Sequence, residues 1–500
     1  MKLTLRAGLA GIAAAAVAVG LAEIVAVFTG PLSSPLLAVG GVVVDNVPAP
    51  VKDFGISVFG THDKTALITG TAILLGVYAG LVGIVALRSW LWAYAGIALF
   101  AVIGVTAAVT RHDAGVFAAL PSLIAAAVAI FALRRLVPLA QAVEPVDSDS
   151  RRRFLIGVGI VAGVGVVGGF AGRLFTSSRA VTEARKSVVL PKPSAAVPTV
   201  PAGAQVAGAT PYVSSNESFY RIDTSLYPPQ VDPATWQLRI HGMVRNPITI
   251  TWEQLLQRPM VERYVTLACV SNEVGGDLIG NALWLGTALK DLLDEADPLP
   301  DADQAVARSA DGWTCGSPTA VLRDGRDALL AIGMNGQPLP VEHGFPVRMV
   351  VPGLYGYVSA CKWVTEIELT RFTDFDAYWV PRGWSALGPI KTESRIDTPK
   401  DGAKKPAGQV MIAGVAWAQH RGISKVEVQV DDNAWEAATL APAVSADTWV
   451  QWSYAWQGTK GDHRIQVRAT DAEGQTQTEE GAPPAPDGAT GWHSVEVTVD

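Results

Sequence analysis

The chain has 500 residues, of which 49% are apolar and 17% are charged, and its formal net charge is −7. An apolar content this high excludes an ordinary soluble protein, and the modest negative charge argues against nucleic acid as the main partner. The three Cys residues are too few for a disulfide framework, and an odd number in an exported domain indicates at least one thiol with another use.

The apolar residues are concentrated in residues 1–176, whereas thirteen of the fifteen Trp lie beyond residue 200. A membrane-spanning helix needs roughly 20 predominantly apolar residues. Residues 1–140 are therefore predicted to form a four-span transmembrane bundle, and a fifth span follows within residues 147–176. The five predicted spans are Leu5–Phe28, Ala66–Leu87, Leu91–Val109, Val116–Val137 and Phe154–Phe175.

Basic residues near the span ends indicate the orientation, because cytoplasmic loops carry an excess of Lys and Arg. Lys2, Arg6, Arg88 and the pair Arg134–Arg135 all fall on one side if the N-terminus is cytoplasmic. The fifth span then places everything after it outside the cytoplasmic membrane. We therefore expect a multi-pass protein of the cytoplasmic membrane with an extracytoplasmic soluble half.

The predicted bundle offers no axial ligands for a haem, because His62 and His112 both fall in outer loops. Glu23 is the single acidic residue inside a predicted span. It either takes part in a proton relay or faces a neighbouring helix near the interface. The pattern favours an anchor or docking platform, and no haem is expected.

The stretch "SDSRRRFLIG" at residues 148–157 resembles the start of a twin-arginine export signal. Ser150 precedes the arginines, and Phe154 and Leu155 follow them. The alternative is that the arginines only fix the cytoplasmic end of a span. No small-residue cleavage site follows, so the segment is expected to remain as an anchor. Residues 177–211 are rich in Pro and Ala and predict an extended linker that holds the soluble half off the membrane.

Residues from 212 onward show globular patterns. "TWQLRIHGMV" and "PITITW" alternate as half-buried strands do, and Thr251 is placed to cap a short helix through "WEQLLQR". "RYVTLACVSN" predicts a strand with Cys269 at its end, where side chains project into loops. "VGGDLIGNALWLGTALKDLLDEA" is interpreted as a Gly-rich loop and then a helix that carries Leu285, Leu289, Leu292 and Leu293 on one face.

Three segments of this region, "TLACVSNEVGG", "GMNGQPLPVEHGFPVRMVVPGLYGY" and "CKWVTEIEL", resemble the molybdopterin-binding core of the sulfite oxidase family. The resemblance implies a mixed α+β core over residues 212–375 that holds one molybdenum on a pyranopterin dithiolene. It also implies that Cys269 supplies the one protein bond to the metal, in keeping with the preference of such metals for soft thiolates. Without that resemblance, Cys269 would be interpreted as an inert buried thiol.

The resemblance assigns further residues to the cofactor, whose terminal phosphate calls for cations or backbone amides. Arg221 matches an anion-facing arginine beside the metal; the alternative is a surface salt bridge with Asp223. The remaining expected cofactor-binding residues are Asn216, Phe219, Tyr220, His343, Arg348, Ser359, Ala360 and Lys362.

The sequence departs from the family in two ways. Sulfite oxidases proper carry Arg in the stretch equivalent to Asn272–Gly275, which here is Asn, Glu, Val, Gly, so sulfite itself is in doubt as the substrate. No cytochrome-like domain is present in this sequence, so electrons are expected to pass to or from a separate carrier. Cys315 and Cys361 have no family role and are either a disulfide pair or two separate buried thiols.

Residues 376–408 are predicted to be connecting loops, and residues 409–500 alternate as strands of an antiparallel β-sandwich do. This last region resembles the immunoglobulin-like domain that follows the core in the family and serves there in dimerisation. The predicted fold class is therefore an α-helical membrane region, an α+β molybdopterin core and an all-β immunoglobulin-like sandwich. A homodimer through the C-terminal domain is one expectation, and a monomer held by the bundle is the other.

The function expected from these features is oxygen-atom transfer on a small sulfur-containing or related oxyanion substrate, at Mo-molybdopterin, by a membrane-anchored oxidoreductase. A cytochrome or a quinone-linked protein would carry the electrons. One alternative is a sulfoxide or N-oxide reductase of the same family. Another is a non-catalytic, membrane-tethered binding module that has lost the metal.

The export interpretation makes a first prediction. Changing Arg151 and Arg152 to Lys should leave the first four spans inserted but strand the soluble half in the cytoplasm, because only a twin-arginine signal requires arginine itself. Protease protection of the soluble half in spheroplasts measures the outcome. Normal export of this variant would show that the arginines act only as positive charge.

Overall fold

A computed structural model describes residues 2–30, 33–46, 63–110, 115–142, 152, 155–165, 178–225 and 228–500 of the chain. The chain divides into two compact units. One comprises Met1–Glu183 with Thr224–Gln230, and the other comprises Ala184–Asp223 with Val231–Asp500. The predicted export signal lies outside the described residues, apart from Arg152 and the stretch from Leu155 onward.

The first unit is helical. Three of its helices are long and apolar enough to cross a membrane: Leu3–Thr29 (α1), Trp90–Val109 (α4) and Leu120–Gln141 (α5). The predicted second span forms Asp63–Val85 (α3), of which the apolar part is Thr69–Val85, and the predicted fifth begins as Leu155–Gly165 (α6). Residues 166–175 of the fifth span lie outside the described residues. The structure adds a helix that was not predicted, Pro35–Asn46 (α2).

Small residues let α1 pack closely against its neighbour α3. A side-chain carbon added at Gly11 would collide with the carbonyl of Ala79, and one at Gly83 would collide with the carbonyl of Ala7. Close backbone approach of this kind is how apolar helices associate where the hydrophobic effect cannot drive them together.

Glu23 is buried within this helical unit rather than facing outward. It is 6% exposed, and the Ser34 hydroxyl just before α2 donates a 2.6 Å hydrogen bond to its Oε1. A hydrogen bond from a neighbouring segment lowers the cost of burying this polar side chain. The contact agrees with the interpretation of Glu23 as a helix-packing residue.

The region between residues 237 and 370, which we call the core, contains two sheets. The first has the strand order β2-β1-β10-β5-β6, and the second has the order β3-β4-β7-β8 with β9 paired to β7. The strands are Gln237–Gly242 (β1), Ile248–Thr251 (β2), Val261–Ala268 (β3), Ile279–Ala288 (β4), Gln304–Ser309 (β5), Thr314–Pro318 (β6), Leu329–Met334 (β7), Gln337–Pro338 (β8), Arg348–Val350 (β9) and Val364–Thr370 (β10).

Short helices connect these strands: Trp252–Leu256 (α8), Leu289–Ala296 (α9), Thr319–Arg323 (α10) and Gly356–Ser359 (α11). The predicted cap at Thr251 is confirmed, because its hydroxyl accepts from the Gln254 amide while the Gln254 side chain accepts from the Thr251 amide.

One predicted helix is largely a strand. Residues 279–288, which include Leu285, form β4 and pair antiparallel with β3, so that Ala268 faces Ile279. Only Leu289, Leu292 and Leu293 lie on the following helix α9. A strand buried on both faces is continuously apolar, and its leucines can therefore continue a helical spacing by chance.

The C-terminal region is a two-sheet sandwich, with strand orders β11-β13-β17-β16 and β12-β19-β18-β14-β15. Its strands are Glu393–Thr398 (β11), Ala403–Lys405 (β12), Gly408–Trp417 (β13), Ile423–Val430 (β14), Glu436–Ala437 (β15), Thr439–Leu440 (β16), Val450–Gly458 (β17), Gly461–Asp471 (β18) and His493–Val499 (β19). The stretch 376–408, predicted as loops, therefore contains β11 and β12. They were missed because β11 has a single apolar residue and so no apolar alternation, and because β12 is only three residues long.

The segment before the core is extended but is bound along its length. The segment begins with the helix Ser178–Ser187 (α7), and the described residues between it and β1 form no further helix or strand. Beyond α7, the Ser194 amide donates to the Met260 carbonyl, the Val206 amide donates to the Gln451 side chain, and Ala204 is fully buried. Residues 188–211 thus pack against both the core and the sandwich.

A carboxyl group is buried at the start of the sandwich. Glu393, on β11, is 4% exposed, and its Oε1 has no hydrogen-bond partner among the described residues. Burial raises its pKa from an ordinary 4.5 to about 8, although nearby Lys391 acts in the opposite direction. The folded chain therefore holds a proton on Glu393 more tightly than the unfolded chain does.

This protonation predicts a pH-dependent stability. The folded pKa is the higher one, so the contribution of Glu393 to stability is complete below about pH 4.5 and is lost as the pH rises towards 8. The melting temperature of the wild type should fall between pH 5 and 8 more steeply than that of Glu393→Gln. Glu496→Gln, an exposed carboxylate on β19, is the matched control. Equal slopes for wild type and Glu393→Gln in thermal melts would contradict the prediction.

Candidate functional site

Cys269 immediately follows β3, and its side chain turns into the interior. The residue is 7% exposed, its amide donates to the Leu278 carbonyl, and the Ser271 amide donates to its Sγ at 3.4 Å. Burial raises the pKa of its thiol, while the two interactions with Ser271 lower it. A thiolate at this position therefore requires a positive partner such as a metal ion.

Four rings form a cluster in which Tyr220 is the neighbour of Cys269. Phe219 stacks on Tyr220 with ring centroids 5.2 Å apart, and Phe219 meets the edges of Trp284 and His343 at 5.6 and 5.5 Å. Burial raises the pKa of Tyr220, and the neighbouring Cys269 raises it further. The structure thus brings two of the predicted aromatic residues to the predicted metal ligand.

His343 and Arg348 are joined through the backbone. Arg348 Nη1 donates to the His343 carbonyl at 3.1 Å, and His343 Nε2 lies 2.9 Å from the Asn216 carbonyl. Burial lowers the pKa of His343 to about 4, with Arg348 contributing, and burial lowers the pKa of Arg348 to about 10. The guanidinium also lies 5.0 Å from the Trp284 ring. The His343 ring is therefore neutral near pH 7 and can donate through one nitrogen.

Lys362 and Arg221 share one carboxylate. Asp223 Oδ2 lies 2.8 Å from Lys362 Nζ and 3.0 Å from Arg221 Nε. The alternative interpretation of Arg221 as a partner of Asp223 is therefore observed, and the Arg221 side chain remains 37% exposed. Burial lowers the pKa of Lys362 to about 8 even though Asp223 opposes the shift, and Arg348 and Arg221 lower it further.

Ser359 and Ala360 close the turn at the end of α11. The Ser359 hydroxyl donates within its own turn, to the Tyr355 carbonyl at 2.9 Å. Its side chain is thus already engaged, and any contact from this turn to a ligand would come from the backbone. Gly356, at the start of the same turn, lies beside the Ala268 carbonyl and the Tyr220 hydroxyl.

Sequence reasoning missed three polar or aromatic residues of this site. The sequence around Trp284 is typical of a buried strand and does not distinguish this residue from an ordinary core residue. Asn335 donates to Asn216 Oδ1 at 2.8 Å and adopts a left-handed φ of 51°, which the "NG" dipeptide could have signalled. Asn272 is buried and accepts from the Leu278 amide, whereas its Nδ2 has no hydrogen-bond partner among the described residues.

The other two cysteines are neighbours. Cys315 and Cys361 are free thiols and fully buried. Burial raises the pKa of Cys361 well above its ordinary value, and the adjacent Cys315 contributes to the rise. Of the two alternatives left open by the sequence, the structure has the second, two buried thiols without a disulfide bond, and the two thiols are neighbours.

Family models match two parts of the chain. Residues 225–379 match a family model described as an oxidoreductase molybdopterin binding domain, and residues 393–467 match one described as a bacterial Ig domain. Among solved structures, the sulfane dehydrogenase SoxCD of Paracoccus pantotrophus is 22% identical with a TM-score of 0.49, covering 58% of this chain and 83% of that one.

Curated relatives cover the same part of the chain. Mitochondrial sulfite oxidase of Mus musculus is 30% identical over 272 residues, which are 46% of this chain and 49% of that protein. The chain thus spans about half the length of this relative. YuiH of Bacillus subtilis, an uncharacterized oxidoreductase, is 31% identical over 173 residues, which are 34% of this chain and 83% of that protein. The chain accordingly belongs to the sulfite oxidase family of molybdopterin-dependent oxidoreductases.

Proposed function

We propose that this chain is a membrane-anchored molybdenum-cofactor enzyme that transfers an oxygen atom to or from a small sulfur-containing or related substrate. The observation that carries the proposal is the buried Cys269 thiol at one end of an aromatic-lined cluster of cations. Two of these cations, Arg348 and Lys362, come from the segment 343–362, which also supplies the neutral ring of His343.

The donor set fits a pterin that ends in a phosphate. Arg348 is buried, and among the described residues no carboxylate pairs with it, so an anion there would offset the cost of burying its charge. The unpartnered Nδ2 of Asn272 supplies a buried donor close in sequence to Cys269. A buried polar atom without a partner calls for an explanation, and for Asn272 Nδ2 the proposed explanation is a ligand beside Cys269.

The cofactor, when bound, supplies two-electron oxygen-atom transfer at molybdenum, and the protein supplies binding and orientation. In the proposed roles Cys269 is the metal ligand, and Arg348 and Lys362 bind the phosphate. Asn216, Phe219, Tyr220 and the turn at Ser359 and Ala360 line the pterin. His343 holds its ring between Asn216 and the pterin site, and Arg221 faces the substrate.

The proposed substrate site, next to Arg221 and the loop after Cys269, carries less positive charge than a doubly charged anion requires. Arg221 already shares Asp223, and Glu273 is exposed in the loop after Cys269. A doubly charged oxyanion is best held by several Arg, so this arrangement favours a neutral sulfoxide or N-oxide as the second candidate substrate class. In that reaction the enzyme would act as a reductase.

The membrane helices and the carrier complete the proposal. The helices α1, α4 and α5 would anchor the enzyme in the cytoplasmic membrane, with the catalytic domain outside. Electrons would pass one at a time to or from a separate cytochrome or quinone-linked carrier. The immunoglobulin-like domain would form a homodimer, and sedimentation of the purified protein tests this part of the proposal.

The ligand assignment predicts the effect of removing one sulfur. Cys269→Ser should lower turnover by more than about 100-fold, because loss of a metal ligand exceeds the 10- to 100-fold effects of outer-shell changes. Cys315→Ser, at another buried thiol, is the matched control and should retain activity. Metal and pterin analysis accompanies the assays, and full activity of Cys269→Ser would contradict the assignment.

An EPR titration of the same purified protein determines the direction of the reaction. Molybdenum EPR of the purified protein is titrated with sulfite and, separately, with methionine sulfoxide and a reduced dye. Reduction of the metal by sulfite supports the oxidase, and reoxidation by the sulfoxide supports the reductase. A preparation without molybdenum and pterin would overturn the enzymatic proposal.

The phosphate assignment predicts a defect in cofactor retention. Lys362→Gln should lower the pterin content per chain by about tenfold, because a hydrogen bond to a charged group contributes about 1.5–3 kcal/mol. Lys391→Gln is the control, since that amine pairs with Asp487 in the sandwich. Pterin is measured by fluorescence after oxidation. Equal pterin content in the two variants would argue against phosphate binding by Lys362.

A further inference from the structure

The sandwich makes contacts on both sides of the metal-ligand loop. We define this loop as residues 269–278, from Cys269 to the start of β4. Cys269 closes it by donating from its amide to the Leu278 carbonyl, and Asn272 accepts from the Leu278 amide within it. These internal contacts shape the loop but do not tie it to the rest of the protein.

Thr266, three residues before Cys269, is bound by the sandwich. Its amide donates to the Asp447 carbonyl at 3.0 Å, its hydroxyl accepts from the Trp449 amide at 2.8 Å, and its carbonyl accepts from Gln419 Nε2 at 3.0 Å. β3 is the edge strand of its sheet, so this side of it has no strand neighbour in the core. Loops of the sandwich therefore take the place of the missing strand.

The far side of the loop is bound by Arg395. Its Nη1 donates to the Gly276 carbonyl at 2.7 Å, and its Nε donates to Asp397 Oδ1 at 2.7 Å. The side chains of Arg395 and Asp397 are 10% and 5% exposed, and the Thr210 amide donates to the other Asp397 oxygen. A buried, doubly bonded guanidinium has little freedom, so the contact fixes where Gly276 lies.

His493 packs on the same loop. Gly275 has a left-handed φ of 79°, and a side-chain carbon there would collide with the His493 ring. His493 Nδ1 accepts from the Ile396 amide at 2.9 Å, which requires that nitrogen to be unprotonated. Burial, with Arg395 contributing, lowers the pKa of His493 to about 4, so the ring is neutral at physiological pH.

We propose that the C-terminal sandwich is part of the metal site: Arg395, held by Asp397, and Gln419 are positioning residues that fix the loop and strand end carrying Cys269. The inference rests on the proposed role of Cys269 as the metal ligand. Groups outside the ligand set orient the ligand and so tune the metal, and a loosely supported ligand loop lowers activity without removing the site.

The test uses the full chain with Arg395→Gln. This change removes the positive charge that pairs with Asp397 and the Nη1 group that donates to the Gly276 carbonyl. Amide hydrogen exchange in residues 269–278 should rise by about tenfold or more, because local opening becomes easier. Molybdenum content should stay within about twofold of wild type, while the Mo(V) EPR signal shifts and kcat falls by about 10-fold, as for outer-shell changes. Arg395→Lys, which keeps the charge beside Asp397, should restore part of the signal.

Arg468→Gln is the matched control, since Arg468 pairs with Glu427 at 3.0 Å in the same sandwich. It should leave exchange in 269–278 and the EPR signal unchanged. Gln419→Leu tests the strand end independently and should raise exchange at residues 265–269, which covers the case that Arg395→Gln fails to fold. Unchanged exchange and EPR in a folded Arg395→Gln, or equal changes in the control, would overturn the inference. Absence of molybdenum from the wild type would overturn the proposed function, and hydrogen exchange would still report on the contacts of Arg395 and Gln419 with the loop and the strand end.

Discussion

Burial of the positive charge of Arg348 is the constraint on which the core depends. The residue is 5% exposed, and its contacts among the described residues are two carbonyl oxygens and the face of Trp284. Neutral acceptors and a ring face offset only part of the cost of removing a guanidinium from water. Burial lowers the pKa values of His343 and Lys362, and the charge of Arg348 contributes to both shifts, so an anionic ligand beside these groups would relieve part of the cost.

The sequence predicted elements best where one face of an element meets water. The strands of the sandwich alternate between inside and outside, and Thr251 with Gln254 forms the capping pair that its residue types indicate. β4 was missed because it is buried on both faces and has no alternation to detect. The short strands β12, β15 and β16 were missed because two or three residues carry no period.

The candidate site was predictable only through the resemblance, and its partners were not. Composition and spacing could not distinguish Cys269 from an inert thiol, whereas the family motifs identified it together with His343 and Arg348. Trp284 and Arg395 carry no local pattern that marks them as part of a site, and for Asn335 only the "NG" dipeptide indicates an unusual backbone conformation. Their role depends on contacts between segments more than 50 residues apart, such as Asn335 with Asn216 and Arg395 with Gly276.

The bound segment before the core also constrains the order in which the protein can be completed. The Val206 amide pairs with the side chain of Gln451, 245 positions further along the chain. At a synthesis rate of roughly 5–20 residues per second, the ribosome needs about 12–50 s to add that length. During this interval residues 188–211 have no partner on the sandwich. Residues 188–211 can therefore complete their packing only after translation has reached the C-terminal domain.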